Sequence, residues 1–290
     1  MKYYAFIFLL LCTISGWSNP YPINIINGLL VSEATIEGKK VLVIFDTGAP
    51  GLVLNSHYYA SNKDPRIECT GINGNFECAT HEIKDWIWMD MSHKRTNALL
   101  SDLSFLEQAL GKEVHALIGL SVLSDYYISI DFDQMTISLS EKWKANKNEK
   151  FRFQYVEHLP VITCKVNGER KTLGIDSGSG INYLFSFNET DYFKLNADPS
   201  AVVVVGTGNR KDVKHKVPME LELNDHSLYP SEFIVDLFDQ GSFKPRAFDG
   251  LLGQSFLSKF NVTINPSKQV IILSPRKSGK DHPLDFTAQL

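Results

Sequence analysis

Two short segments of this chain carry a carboxylate on a tight turn. Asp46-Thr47-Gly48-Ala49 returns 130 positions later as Asp176-Ser177-Gly178-Ser179, each time directly after an apolar run. A lone Asp-Ser-Gly is usually a β-turn or a cap. Two such turns, one in each half of the chain, can be brought together across a pseudo-twofold axis. Two carboxylates held that close cannot both ionise, so they share one proton. The pair can then remove a proton from water and protonate a carbonyl oxygen, which is the chemistry amide hydrolysis needs without a metal or a covalent intermediate.

The duplication runs well beyond the tetrapeptides. Leu29, Val31, Ile36 and Gly38 fall opposite Leu159, Val161, Val166 and Gly168 at the same offset of 130. Downstream the offset becomes 134, where the segment Leu117 to Ser124 matches Leu251 to Ser258, and Ile130 and Leu139 match Ile264 and Leu273. Each half therefore reads strand, turn, Asp-Thr/Ser-Gly, strand, a long variable stretch, an apolar-apolar-Gly motif, a short helix and two strands. A repeat of this kind decides the architecture before any local reading does. The strands expected are Lys40 to Phe45, Leu52 to Leu54, Tyr127 to Ile130, Met135 to Leu139, Ala201 to Val205, Val262 to Ile264 and Val270 to Leu273, all short, apolar and bounded by turn residues. Leu103, Leu106 and Leu110 predict one helix over Ser101 to Leu110, and short helices should follow Gly119 and Gly253. The class is all-β.

The doubled motif resembles the aspartic proteases of the pepsin and retropepsin clan, over nearly all of the chain after its first twenty residues. Both Asp motifs and both apolar-apolar-Gly motifs carry the resemblance, and Ala49 in the first motif is the retropepsin form. The chain looks like a bacterial-type, two-lobe retropepsin-like protease. It departs from pepsin in lacking a Trp shortly after the first motif, where Gly51-Leu52-Val53-Leu54 stands, and in lacking an obvious flap Tyr in the first lobe. The resemblance implies two pseudo-twofold-related, β-barrel-like lobes with the active-site cleft between them. It divides the chain into a first lobe over 19–143, a linker over 144–150, and a second lobe over 151–290 with an exposed tail after about 274.

It also implies roles. Asp46 and Asp176 would form a catalytic dyad titrating as one unit. Gly48 and Gly178 would admit close approach, Thr47 and Ser177 would lock the two loops together by their hydroxyls, and Gly119 and Gly253 would pack beneath the loops. Ser179 can offer its carboxylate a hydrogen bond that Ala49 cannot, which would raise the lower limb of the pH profile relative to a pepsin-like site. Gly71 and Gly74 in the first half, and Gly206 and Gly208 in the second, mark Gly-rich hairpin tips suited to backbone bonding with an extended peptide or protein substrate. The competing reading of those tips is a plain hairpin turn. No cofactor is expected, and a monomer suffices. The alternative from another class is a non-catalytic peptide- or protein-binding member of the same fold.

Hydrophobic residues make up 43% of the 290-residue chain, enough for two modest cores, and a net charge of −4 leaves no basic footprint for nucleic acid. Lys2 followed by Phe6 to Leu11 and by Gly16-Trp17-Ser18 reads as a signal peptide over 1–18, removed after Ser18. The rival is a lipoprotein signal through Cys12, which bulky Leu11 disfavours. Export makes the product secreted or periplasmic, with no membrane contact after processing, and it favours pairing of Cys69 with Cys78 around a turn-rich segment. The competing reading leaves both reduced. Cys164 reads as a small buried hydrophobe. No metal site is expected, because the eight His residues show no His-x-x-x-His spacing. Asp131 and Asp133 read as a strand-to-strand turn rather than a Ca²⁺ loop.

Overall fold

The computed structural model describes residues 19–61, 64–71, 74–143, 149–188, 201–206, 210–223, 227–238 and 247–277. Strands dominate. The first half contributes β1 (Tyr21–Pro22), β2 (Asn24–Ile26), β3 (Leu29–Ile36), β4 (Lys39–Phe45), β5 (Leu52–Asn55), α1 (Ser56–Tyr59), β6 (Arg66–Gly71), β7 (Gly74–Trp88), β8 (Met91–Ser101), α2 (Ser104–Leu110), β9 (Ala116–Ile118), a 3₁₀ turn (Leu120–Leu123), β10 (Tyr127–Asp131) and β11 (Thr136–Ser140). The second half contributes β12 (Glu149–Arg152), β13 (Gln154–Val156), β14 (Leu159–Val166), β15 (Glu169–Ile175), β16 (Asn182–Asn188), β17 (Ala201–Gly206), β18 (Arg210–Glu222), β19 (Leu228–Phe238), β20 (Gly250–Leu252), α3 (Gln254–Leu257), β21 (Phe260–Asn265) and β22 (Val270–Pro275).

Each half builds one eight-stranded sheet, in the orders β2-β3-β4-β9-β5-β8-β7-β6 and β13-β14-β15-β20-β16-β19-β18-β17. Every strand of the second order is the one eleven places after its counterpart in the first. The extra pairings β3–β7 and β14–β18 obey the same rule. Those pairings bend each sheet back on itself, so β3, β4, β9, β5, β8 and β7 form a closed ring. The ring has an apolar interior. Val43, Phe45, Leu54, Trp86, Trp88 and Ile118 fill the first, and Leu173, Val217, Leu221, Phe233, Val235 and Leu252 the second. Burying side chains of this size stabilises by about 1.5–3 kcal/mol each. The indole N–H groups of Trp86 and Trp88 donate to the hydroxyls of Thr96 and Ser32, at 2.9 and 2.8 Å. A buried ring nitrogen without such an acceptor would offset part of that gain.

A six-stranded sheet, β1-β11-β10-β21-β22-β12, draws on both halves. Its central joint is antiparallel, with Ile128 opposite Ile264, Ser129 opposite Thr263 and Ile130 opposite Val262. The Ser129 and Thr263 hydroxyls lie 3.0 Å apart at the middle pair. Beside this joint the Arg276 guanidinium, 3.2 Å from Asp133, also donates to the Ser258 and Phe132 carbonyls. The Asp133 carboxylate further accepts from the Asn261 amide and the Lys277 N–H. Asp131, two residues earlier, accepts from the N–H groups of Asp133 and Gln134 and closes the strand-to-strand turn read from the sequence.

Three boundaries differ from the sequence reading. The helix begins at Ser104 rather than Ser101, because Ser101 is still paired with Asn55 in the sheet. Glu149 and Lys150 belong to β12 rather than to the linker, since they pair with Leu273 and Ile272; residues 144–148 lie outside the described residues. The exposed tail starts later than 274, because Ser274 and Pro275 extend β22 and the Arg276 side chain is 9% exposed. The stretch from Asn19 to Asn27 is built into the fold, with Tyr21 opposite Ile137 and Ile23 buried. Residues 1–18 lie outside the described residues, among which no helix is long and apolar enough to cross a membrane.

Candidate active site

Strand β4 ends at Phe45, the chain loops through Asp46 to Gly51, and it returns as β5. Strand β9 then enters between the two, parallel to β4 and antiparallel to β5. This insertion pins the loop from below. The Asp46 N–H donates to Ile118 O at 3.0 Å, and the Gly119 N–H to Gly51 O at 2.8 Å. The second lobe repeats the device, with the Asp176 N–H donating to Leu252 O at 3.0 Å and the Gln254 N–H to Ser179 O at 2.8 Å. A Cβ on Gly119 would overlap the Ala49 carbonyl, and one on Gly253 would overlap that of Ile181. Contact this close between backbones is why glycine follows each apolar pair.

The two loops meet and are cross-tied. The Thr47 N–H donates to the Ser177 hydroxyl at 2.9 Å, and the Ser177 N–H to the Thr47 hydroxyl at 2.8 Å. Each hydroxyl passes its own proton to the opposite lobe, Thr47 to Ile175 O at 2.7 Å and Ser177 to Phe45 O at 2.9 Å. Both side chains are buried. Four bonds thus join the lobes with every hydroxyl used as donor and acceptor.

Above this tie the Asp46 and Asp176 carboxyls hydrogen-bond each other. Each also accepts the N–H two residues along, from Gly48 at 2.8 Å and from Gly178 at 2.9 Å. The Gly178 N–H also lies close enough to Asp46 to favour its charged form. A Cβ on Gly48 would sit 2.8 Å from Asp176 Oδ1, and one on Gly178 would overlap the Asp46 carboxyl. Only glycine leaves the carboxyls room to touch. Burial pushes both carboxyls above the usual carboxylate range, and Asp176 well above it because the Asp46 charge faces it. Bonds from Gly48 and Asp176, together with the Gly178 N–H and the field of His158, favour charge on Asp46. Burial and the facing charges thus favour a single proton shared by the pair.

Ser179 takes a different part from the one expected. Its hydroxyl donates to Ile181 O at 2.8 Å, so only its backbone N–H acts on the Asp176 carboxyl. A serine hydroxyl has one proton to give, and the Ile181 carbonyl, two residues on, claims it. The contrast between Ala49 and Ser179 consequently puts no extra donor on one carboxylate.

Both Gly-rich segments form antiparallel hairpins. Gly71 pairs with Gly74 between β6 and β7, and Gly206 with Arg210 between β17 and β18. Gly208 lies outside the described residues. Cys69 and Cys78 form a disulfide across the first hairpin, with Cα atoms 6.0 Å apart. Their partners in the ladder are Phe76 and Ile67, so the bridge runs diagonally between β6 and β7. A disulfide of this kind points to a non-cytoplasmic, oxidising environment. The Cys164 thiol is buried, and burial pushes it up to about 12, which leaves it unreactive. A cavity of about 320 Å³ opens beside the exit of the first loop, against Pro50, Gly51, Leu52, Trp86 and Val122. Among the described residues no three His, Cys, Asp or Glu side chains are grouped to hold a metal ion.

One supporting residue escaped the sequence reading. Gln254, fully buried, donates its side-chain amide to the Ser177 carbonyl at 3.2 Å and so braces the second loop. The signal was present, since offset 134 sets this polar residue opposite buried Leu120. Comparison with models of known protein families and with curated proteins finds no match to this chain.

Proposed function

We propose that the chain is an exported endopeptidase of the aspartic type, a single-chain, two-lobe protein of the pepsin and retropepsin architecture. The observation that carries this reading is the pair of carboxyls, delivered by pseudo-symmetric loops into hydrogen-bonding contact with each other and both pushed above the usual carboxylate range. In that reading Asp46, the better stabilised as an anion, takes the proton of a water held between the carboxyls. Asp176 gives its proton to the carbonyl oxygen of the scissile amide, and the oxygen of that water becomes bonded to the carbonyl carbon. Breakdown returns a proton to the leaving nitrogen and restores the shared state. The cross-ties at Thr47 and Ser177 hold the carboxyls at their separation throughout, which is positioning rather than proton transfer.

The substrate is a peptide or unfolded protein segment in extended form. The two hairpins, β6–β7 and β17–β18, serve as flaps that close on it with backbone bonds. One chain supplies both carboxyls, so a monomer is the working unit, and the disulfide suits a secreted or periplasmic setting. The test is digestion of a diverse peptide mixture from about pH 3 to 7.5 by the parent, Asp46→Asn and Asp176→Asn. Cleavage by the parent alone supports the dyad. Cleavage surviving in either folded variant, or none from folded parent, overturns it.

A further inference from the structure

Lobe symmetry also breaks at a turn beside the two carboxyls. The turn between β2 and β3 is Asn27-Gly28, and its counterpart between β13 and β14 is Glu157-His158. Strand register fixes where these turns lie. Val31 is opposite Ile44 on β4, and Val161 is opposite Gly174 on β15. Continuing each ladder brings Gly28 level with Thr47 and His158 level with Ser177, so both turns flank the carboxyl-bearing loops. In the first lobe the Asn27 amide is engaged by Ala109 O, at the end of α2, and Gly28 offers no side chain. Asn27 and Glu157 share the left-handed conformation, at φ 49° and 56°, and both are exposed, but where Gly28 has no side chain His158 carries an imidazole and is half-buried. The His158 imidazole acts electrostatically on Asp46, the carboxyl of the opposite lobe. Its charged surroundings are then Asp46 and the neighbouring Glu157.

We propose that His158 is a specificity-determining residue of the cleft, favouring peptides with a Glu or Asp side chain where they pass the second lobe's turn. This rests on the reading above that the cleft receives extended peptides. A strand advances about 3.3 Å per residue, so a peptide centred on the dyad comes level with the β13–β14 turn within a few residues. An imidazole donates hydrogen bonds from its ring nitrogens and can carry a positive charge. A substrate carboxylate at that place meets the His158 imidazole, whereas the turn on the other side, at buried Gly28, offers it no side chain. Selectivity is therefore one-sided, and it gives the bound peptide a direction that two near-identical lobes would not.

The experiment is affinity selection of a decapeptide pool, in which each position carries Glu or Gln in turn, on the parent, His158→Gln and His158→Lys at pH 5 and 7.5. The parent should enrich Glu over Gln about two- to fivefold at pH 5, the range of an ion pair at a partly exposed site, and on one side of the centre only. The enrichment should vanish in His158→Gln, and in His158→Lys it should persist to pH 7.5. Undiminished enrichment in His158→Gln, enrichment equal on both sides, or peptide binding by the parent without enrichment would each overturn the inference. Binding with the expected enrichment but no cleavage would uphold it while removing the hydrolase reading. Failure to bind any peptide would remove both.

Discussion

Thr47→Val replaces a hydroxyl by a methyl of nearly the same size, and the lobe junction makes its effect calculable. The hydroxyl it removes accepts from the Ser177 N–H and donates to Ile175 O, at 2.8 and 2.7 Å, in a site with no solvent exposure. Valine fills the space and leaves one N–H and one carbonyl buried without partners. Each orphan costs about 1–3 kcal/mol, so the variant should lose about 2–6 kcal/mol, a large share of the roughly 5–15 kcal/mol that holds a typical domain. Thr47→Ser keeps both bonds and loses one methyl, a cost of about 1 kcal/mol. Urea denaturation followed by tryptophan fluorescence measures both, with an unchanged slope expected if the transition stays cooperative. Because Ser177→Ala strikes the same junction from the other lobe, the double variant should lose clearly less than the sum of the two single losses. A Thr47→Val protein within about 1 kcal/mol of Thr47→Ser would refute the claim that these hydroxyls tie the lobes together.

Both Asp46 and Asp176 sit above the usual carboxylate range, so ionising the pair opposes folding. Their contribution is complete below that range and is lost as pH rises through the raised values. Asp176→Asn, uncharged throughout, should therefore melt at or above the parent near pH 7.5, with the gap closing towards pH 4 in scanning fluorimetry. Gly253→Ala forces a methyl against the Ile181 carbonyl and should destabilise by about 1–3 kcal/mol or more, as measured by chemical denaturation. Arg276→Met strands the Asp133 carboxylate in a site 12% exposed and should cost about 3–5 kcal/mol, part of it recovered on adding Asp133→Asn.

The sequence made the architecture legible because the repeat is written in residues that pack. At offset 130, Leu29 and Val31 of one apolar cluster answer to Leu159 and Val161 of another, and at offset 134 Leu117 answers to Leu251. Periodicity and turn chemistry placed the seven strands they named within two residues of their bounds, while the long hairpin strands β7, β8, β18 and β19 went unplaced. What stayed hidden depended on neighbours distant in sequence. Whether Ser179 would donate to its carboxylate or to Ile181 O is decided by loop geometry, not residue type. Ser101 looks like a helix cap until β5 is seen to pair with it. Arg276 reads as part of a solvated tail because its partner Asp133 is 143 residues away. Gln254 and His158 were visible as breaks in the repeat, yet a mismatch acquires meaning only when its surroundings are known.

The joint between the lobes is only three residue pairs long, and that brevity bears on how the molecule is made. Every other strand of the first lobe finds its partners between residues 21 and 140. A ribosome releases those residues well before it reaches β21. A first lobe folded ahead of the second would stand with one flank of β10 bare, and an unpaired flank is adhesive. Since β10 is built to lie antiparallel to its own pseudo-symmetric counterpart, the flank also matches that of a neighbouring nascent copy. The chain's own β21 and a second copy then compete for the same flank.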